Sequence, residues 1–416
     1  MTLMIVFVSL LFLHAILSAK LANSIVTAPM VFTTVGLIVG LFFLGEGPGG
    51  RHGLQLLLSI AEVGLVLLLF TDASKTSPAA VRSAGTLPVR LLGVGMLVTI
   101  GLGMLVALGI FPALSIWEAG ILAAILAPTD AGLGQVIVNS PRVPARIRQS
   151  LNIEAGLNDG LAVPFLLFFI ALAVQVGEGG DAAFGRFLYE QLGWGTVIGL
   201  GVGGIGGALR GVAHRRAWTE GAWPQLGLVA LPVLCLLFAD ANGASVFIAA
   251  FVAGIAVQFG FERAGSHSVE FTEGWGQLFN LAVFFLFGLF VAREWDHVEW
   301  THAAYGIMSL TVIRILPVAL AMLGAGLSRV SVLFLGWFGP RGLASIVLGL
   351  VYLEHTLETE AALAGDATIR LAVICTVMFS IYLHGITAVP AIDRYARRVA
   401  ALPSGNAETA AAEARS

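Results

Sequence analysis

Long apolar stretches recur along this 416-residue chain, and they constrain its fold more than any other feature. About 13 of them approach the roughly 20 residues that a helix needs to cross the hydrocarbon core of a bilayer. Hydrophobic residues make up 58% of the chain and charged residues 11%, about half the charged fraction of an average soluble protein. The sequence therefore predicts an all-α polytopic membrane protein with about 13 transmembrane helices.

The basic residues are distributed unevenly among the short loops. Cytoplasmic loops carry an excess of lysine and arginine, so this asymmetry predicts the orientation. With the N-terminus outside, only four of the 22 lysines and arginines lie on the outer side: Arg51, Arg186, Arg293 and Arg370. Arg314 and Arg341 fall inside predicted spans, and the remaining ones are cytoplasmic. We expect a multi-pass protein of the cell inner membrane with a cytoplasmic C-terminus.

The domain organisation is predicted to be simple. Residues 1–401 form one transmembrane domain, and residues 402–416 form a short disordered cytoplasmic tail, because they are mostly Ala, Glu and Ser without apolar periodicity. The first stretch could instead be a cleaved signal peptide, since residues 19–22 loosely resemble a cleavage site, but no basic segment precedes it. The chain has no Gly-Lys-Ser/Thr nucleotide-binding loop, which argues against an ATP-driven pump. We expect no cofactor and no nucleic-acid partner.

Two predicted spans are interrupted by a proline beside a charged residue. The span at 113–138 contains Ala-Pro-Thr-Asp at 127–130, and the span at 331–353 contains Gly-Pro-Arg-Gly at 339–342. The two are seven spans apart, an odd number, so they enter the membrane from opposite sides. Two inverted six-helix repeats, separated by one connecting helix, require this arrangement. Paired interrupted helices also point to a transport site near the middle of the bilayer.

Charged residues at membrane depth are costly and usually functional. This chain has six by our reading: Glu62, Asp130, Glu154, Asp159, Arg314 and Arg341. Arginine keeps its proton, so Arg314 requires an anionic partner, which Glu154 or Asp159 could supply. At least one carboxylate then lacks a fixed countercharge and should hold a proton or a metal cation. Exchange of a proton for a cation at one site is the physical basis of antiport.

Helix geometry separates the acidic residues of one span. Glu154 and Asn158 are four residues apart and share a face, whereas Asp159 is rotated by roughly 100° from Asn158. The helix can therefore offer Glu154 to an arginine and Asp159 to a water-filled cavity. Thr129 can add a hydroxyl or carbonyl oxygen at the interrupted span. Such hard oxygen ligands suit Na⁺, Li⁺ or K⁺ better than a soft metal.

Asp130 and Arg341 have a different expected role, because each adjoins an interruption. The N-terminal end of a helix is stabilised by an acid and the C-terminal end by a base. We therefore expect these two residues to act as structural charge partners of the interrupted helices.

Together, four features resemble the NhaP-type sodium/proton antiporters of the monovalent cation:proton antiporter-1 family. They are Ala-Pro-Thr-Asp at 127–130, Glu-Ala-Gly-Leu-Asn-Asp-Gly at 154–160, Arg314, and Gly-Pro-Arg-Gly at 339–342. The motifs occur in order and at compatible spacing, and the resemblance extends from the first span to Thr387. It implies a homodimer with a dimerisation domain and a six-helix ion-translocation core, in which two broken helices cross.

The resemblance also implies roles for single residues. Asp159 would be the ion and proton carrier, Glu154 would pair with Arg314, and Asn158 would steady the site. The Asn158–Asp159 pair resembles the pattern of electroneutral exchangers in this family. Electrogenic members instead carry two consecutive aspartates. Many relatives place Ser where this chain has Ala155, so a possible hydroxyl ligand is missing here.

The function expected from the sequence is secondary active antiport rather than enzyme activity. A monovalent cation, most favourably Na⁺ and also Li⁺, would be exchanged for H⁺ by alternating access, electroneutrally and in support of pH homeostasis. Asp159, Thr129 and Glu154 are the candidate cation ligands. The transported cation, the proton, the lipid bilayer and a second copy of the chain are the expected partners.

Three alternatives are less favoured. A K⁺/H⁺ antiporter of the same family would use the same residues. A cation channel needs a conducting filter, and the chain has no repeated Thr-Val-Gly-type element. An intramembrane aspartyl protease built on Asp130 and Asp159 would carry Gly-x-Gly-Asp, whereas this chain reads Gly-Leu-Asn-Asp at 156–159.

Overall fold

The computed structural model describes residues 2–21, 24–43, 50–75, 85–178, 185, 189–260, 266–358 and 363–401. These residues form helices joined by loops and turns, and none of them is in a β-strand. The tail predicted over 402–416 lies outside the described residues.

The helices are, in chain order, α1 (Thr2–Leu21), α2 (Ala28–Phe43), α3 (Gly50–Lys75), α4 (Leu87–Ile110), α5 (Ile116–Ile125), α6 (Ala131–Val138), α7 (Ala145–Glu178), α8 (Tyr189–Arg215), α9 (Trp223–Ala241), α10 (Val246–Gly260), α11 (Ser266–Glu294), α12 (Trp300–Leu310), α13 (Val312–Ala321), α14 (Arg329–Trp337), α15 (Leu343–Glu358) and α16 (Asp366–Ala400). Two of these helices contain a π-helical segment, α4 over Leu91–Gly95 and α8 over Tyr189–Trp194.

The all-α polytopic class is confirmed. Within the described ranges, eight helices are long and apolar enough to cross a membrane, and several shorter apolar helices accompany them. The number of crossings and the inverted repeats stay predictions.

Both predicted interruptions are present. The span expected at 113–138 divides into α5 and α6, and the span expected at 331–353 divides into α14 and α15. Proline lacks a backbone N–H and disfavours helical dihedrals in the residue before it. Pro128 and Pro340 therefore stop each helix, and the chain resumes a helix only after the adjoining charged residue.

A third interruption was not predicted. The span expected at 303–327 bends at Thr311, between α12 and α13, where the dihedrals are φ −111° and ψ −88°. The Thr311 hydroxyl donates to the carbonyl of Ile307 at 2.6 Å. Threonine that bonds back to the preceding turn in this way often bends helices. The bend directly precedes the turn that carries Arg314.

Glycine allows α8 and α10 to approach each other closely. Gly203 and Gly207 of α8 lie against the backbone of Ala253 and Val257 in α10, where an added Cβ would collide. Small residues at membrane helix interfaces commonly serve this purpose. Helix α10 also contacts α3, which packs against α7 and α15.

Candidate functional site

The two interruptions lie against each other, and Asp130 joins them. Its backbone N–H donates to the carbonyl of Pro340 at 2.8 Å. Its carboxylate accepts from the N–H of Leu133 at 3.1 Å, in the first turn of α6, and from the N–H of Leu343 at 2.5 Å, the first residue of α15. One buried carboxylate therefore caps the positive N-terminal ends of two helices.

Arg341 makes the reciprocal contacts. Its side chain is fully buried and donates to the carbonyls of Ala127 at 2.6 Å and Pro128 at 2.9 Å, just beyond the C-terminal end of α5. Its backbone N–H donates to the Ser380 hydroxyl in α16 at 2.6 Å. Carbonyl groups left without helical partners are thus bonded by a cation, which suits the negative end of a helix.

Glu154 and Arg314 form a bidentate ion pair. The two guanidinium nitrogens lie 2.5 and 2.8 Å from the two carboxylate oxygens, and each residue is only 2% exposed. Of the two acids that the sequence offered to Arg314, the structure pairs it with Glu154. An added Cβ at Gly339 would collide with the guanidinium. The pair therefore connects α7 and α13 directly beside the second interruption.

Asn158 connects α7 to the first interruption. Its amide nitrogen donates to the Thr129 hydroxyl at 2.7 Å, and both residues are buried. Its buried Oδ1 atom has no hydrogen-bond partner in the part of the chain that the structure describes. This carbonyl oxygen is available as an acceptor or as a cation ligand.

Asp159 faces a cavity of about 150 Å³. The residue is half-buried, and its buried Oδ1 atom has no hydrogen-bond partner among the described residues. Four further polar side chains near Asp159 in the cavity lining are those of Asp72, Gln135, Gln277 and Asn280. Sequence reasoning missed these four, although Asn280 is a visible signal as a polar residue within an apolar span.

The cavity reaches one surface of the membrane domain. Its lining continues to Lys75, the last residue of α3, to Val138, the last residue of α6, and to the exposed Asn152 in the second turn of α7. Asp159 lies deeper, beside Asp130 and Leu343. We call the place where the interruptions at 127–130 and 339–342 meet the crossing. Ala155 is buried and does not line the cavity.

Polar contacts join the helix ends on the opposite surface. Glu118, in the first turn of α5, accepts from the N–H of Gly365 at 2.7 Å. Arg370, in the first turns of α16, binds Asp366 at 2.8 Å and Glu294 of α11 at 3.3 Å. These contacts tie α5, α11 and α16 together at the end away from the cavity.

Comparison with known proteins agrees with this geometry. The family model for the transmembrane sodium/hydrogen exchanger matches residues 6–394. The chain is 27% identical over 352 residues to the K(+)/H(+) antiporter NhaP of Alkalimonas amylolytica, covering 83% of this chain and 60% of that protein. It is 25% identical over 331 residues to the Na(+)/H(+) antiporter 2 of Zygosaccharomyces rouxii, covering 71% and 40% respectively. The chain thus spans less than two thirds of the length of each of these two relatives.

A similar fold occurs in a solved structure. The sodium proton antiporter MjNhaP1 of Methanocaldococcus jannaschii matches with a TM-score of 0.75 at 19% identity, covering 92% of this chain and 99% of that one. At this identity the likeness concerns the fold alone. The family model, however, extends over nearly the whole chain and describes a transmembrane exchanger rather than an enzyme. The protein therefore belongs to the sodium/hydrogen exchanger family.

Proposed function

We propose that this protein is a secondary active antiporter that exchanges a monovalent cation for H⁺ by alternating access. Na⁺ is the favoured cation, with Li⁺ as a further substrate. K⁺/H⁺ exchange is the alternative, and the Alkalimonas relative named as a K(+)/H(+) antiporter supports it. One observation carries the proposal most directly: Asp159 faces a polar cavity with a carboxylate oxygen that the described residues leave without a partner.

The other acids at the crossing are already engaged. Glu154 is neutralised by Arg314, and Asp130 accepts from the two helix N-termini. The pairing of both Glu154 oxygens favours a structural role for this residue over that of a cation ligand. Asp159 is then the carboxylate that takes either a cation or a proton, and competition between them couples the two fluxes.

Oxygen atoms near the crossing would complete the cation site. Thr129 offers a hydroxyl and a backbone carbonyl beside the interruption, and Asn158 offers its Oδ1 atom. Hard oxygen ligands of this kind bind alkali-metal cations. Because the site carries one exchangeable negative charge, it is neutral with either Na⁺ or H⁺ bound. This equality supports electroneutral exchange.

Alternating access would move the crossing between the two membrane surfaces. The cavity below Asp159 provides access from one side, and the contacts of Glu118 and Arg370 hold the other side together. The positive-inside orientation makes the open side cytoplasmic, with the N-terminus outside. We further propose that the protein resides in the cell inner membrane and assembles as a homodimer.

Exchange in proteoliposomes containing a pH dye tests the function. We expect Na⁺ and Li⁺ to restore the dye signal in the wild type, and Asp159→Asn to abolish the recovery. Asp393→Asn is the matched control, because Asp393 is an acid with a solvent-accessible side chain that pairs with Arg142 and does not line the cavity. Cation-dependent recovery that persists in Asp159→Asn would overturn the assignment, and recovery with K⁺ alone would favour the alternative.

A further inference from the structure

A second and larger concavity lies on the surface of the membrane domain, and it shares no lining residue with the cavity at Asp159. It has a volume of about 520 Å³ and runs between α14 and the second half of α16. Its floor is formed by Phe334 and Tyr395, whose rings stack with centroids 4.1 Å apart and planes 16° apart. Exposed Leu333 and Ile386 form its apolar rim. We refer to this feature as the α14–α16 groove.

Hydrogen bonds below the floor hold the two walls at a fixed separation. The hydroxyls of Ser331 and Tyr395 are 2.7 Å apart. Near the other end of the groove, the indole N–H of Trp337 donates to the Thr387 hydroxyl at 3.0 Å. The groove is therefore preformed, and a ligand does not need to open it.

One end of the groove is basic. Arg394 and Arg398 line it, lie one helical turn apart on the same face of α16, and are both exposed. Among the residues that the structure describes, neither guanidinium has an acidic partner, whereas Arg142 pairs with Asp393 one residue away. Two exposed guanidinium groups beside an apolar surface suit an anionic ligand with an apolar body.

The length of the groove matches one leaflet of a bilayer. From Ile386 to Arg398, α16 rises about 18 Å at roughly 1.5 Å per residue. The hydrocarbon core of a bilayer is about 30 Å thick, so one leaflet accounts for about 15 Å. With the two arginines at the level of the headgroups, the apolar part of the groove reaches to about the middle of the membrane.

We propose that the α14–α16 groove binds an anionic diacyl phospholipid. Its phosphate lies between Arg394 and Arg398, since guanidinium groups bind phosphate oxygens through paired N–H donors. Its acyl chains lie over Phe334 and along Leu333 and Ile386. With the C-terminus cytoplasmic, the lipid belongs to the cytoplasmic leaflet, where basic pockets between membrane helices commonly bind anionic headgroups.

The position of the groove gives such a lipid a route to the transport machinery. Its deep end is lined by Trp337 and Phe338, which directly precede the second interruption at 339–342. A bound lipid contacts both α14 and α16, and it therefore favours conformations in which these helices keep their present separation.

Lipid retention by the purified 416-residue chain tests the proposal. Native mass spectrometry after addition of phosphatidylglycerol or phosphatidylcholine reports the bound lipid. We expect the wild type to retain phosphatidylglycerol in preference to phosphatidylcholine, and the double variant Arg394→Gln/Arg398→Gln to lose at least about tenfold in retention. Arg397→Gln is the matched control, because Arg397 is exposed on α16 but does not line the groove. The double variant Arg394→Lys/Arg398→Lys should recover part of the retention, which separates charge from misfolding.

Three outcomes would overturn the proposal. The first is equal retention of both lipids by the wild type, and the second is unchanged retention of phosphatidylglycerol by the glutamine variant. The third is full displacement of the lipid by inorganic phosphate, which would make the arginines a site for a free anion. A variant chain that ends at Ala401 tests whether residues 402–416, rather than a lipid, occupy the groove. Unchanged lipid retention supports the lipid, whereas retention only after truncation identifies residues 402–416 as the native occupant.

Discussion

The carboxylate of Asp130, in the first interrupted span, accepts a hydrogen bond from the backbone N–H of Leu343, which begins the second half of the other interrupted span. The same carboxylate caps α6 through Leu133. Arg341 contacts the carbonyls at the end of α5 in return. Each interruption is therefore stabilised by a charged residue from the other, and the crossing behaves as one structural unit.

This relationship makes a prediction for Asp130. Asp130→Ala removes the acceptor of two buried N–H groups, and each lost cap costs about 0.5–2 kcal/mol. We expect a clear drop in the thermal unfolding temperature of the purified protein and loss of exchange. Asp130→Asn keeps one carbonyl oxygen as an acceptor, so its loss should be smaller. An unfolding temperature of Asp130→Ala equal to that of the wild type would contradict the capping role.

The Glu154–Arg314 pair gives a second prediction. Glu154→Gln leaves a buried guanidinium without its counterion, and breaking such a pair costs about 3–5 kcal/mol. The double variant Glu154→Gln/Arg314→Gln removes both charges and should be more stable than Glu154→Gln alone. A double-mutant cycle of unfolding free energies measures this coupling. Purely additive effects would show that the pair is not the source of the stability.

Gly342 gives a third prediction, based on space. An alanine Cβ at this position would collide with the Asp130 carboxylate that caps α15. We expect Gly342→Ala to lower both the unfolding temperature and the exchange rate. Gly349→Ala on α15 is the matched control, because its Cβ would meet Val373 only at 3.5 Å. Helix propensity favours alanine there by roughly 0.5–1 kcal/mol. Equal effects of the two substitutions would argue against a packed crossing.

Voltage dependence gives a fourth prediction. If one carboxylate carries either Na⁺ or H⁺, both loaded forms of the site have the same charge. The rate of dye-reported Na⁺/H⁺ exchange, after subtraction of the rate in vesicles without protein, should then be the same at membrane potentials of either sign. A rate that changes systematically with the imposed potential would show that the cycle moves net charge.

Much of this architecture could be predicted from local signals. Apolar length identified the membrane helices, and proline beside a charge located both interruptions, because proline lacks the backbone N–H that a helix interior uses for its hydrogen bonds. The pairing of Glu154 with Arg314 needed the family resemblance, since two acids on α7 were equally acceptable partners by charge. The bend at Thr311 depends on a single back-bonded hydroxyl, a weak signal in a span that is otherwise continuous.

The contacts across the crossing could not be predicted from local signals. Asp130 and Leu343 are 213 residues apart in the chain, and only the packing of the helices brings them together. The same holds for Asn280 and Gln277, which reach the cavity from α11. The α14–α16 groove also depends on which faces of two helices remain uncovered, and apolar periodicity does not report this.

In the proposed exchange, Asp159 holds either a proton or a cation, but never both. Proton release on cation binding measures this competition directly, with purified protein in a weakly buffered solution that contains a pH indicator. Addition of Na⁺ to the wild type should release about one proton per chain, as expected when a cation displaces the proton of a single carboxyl group. Asp159→Asn should release none, while Asp393→Asn should match the wild type. Na⁺ binding without proton release, or undiminished release by Asp159→Asn, would contradict the claim.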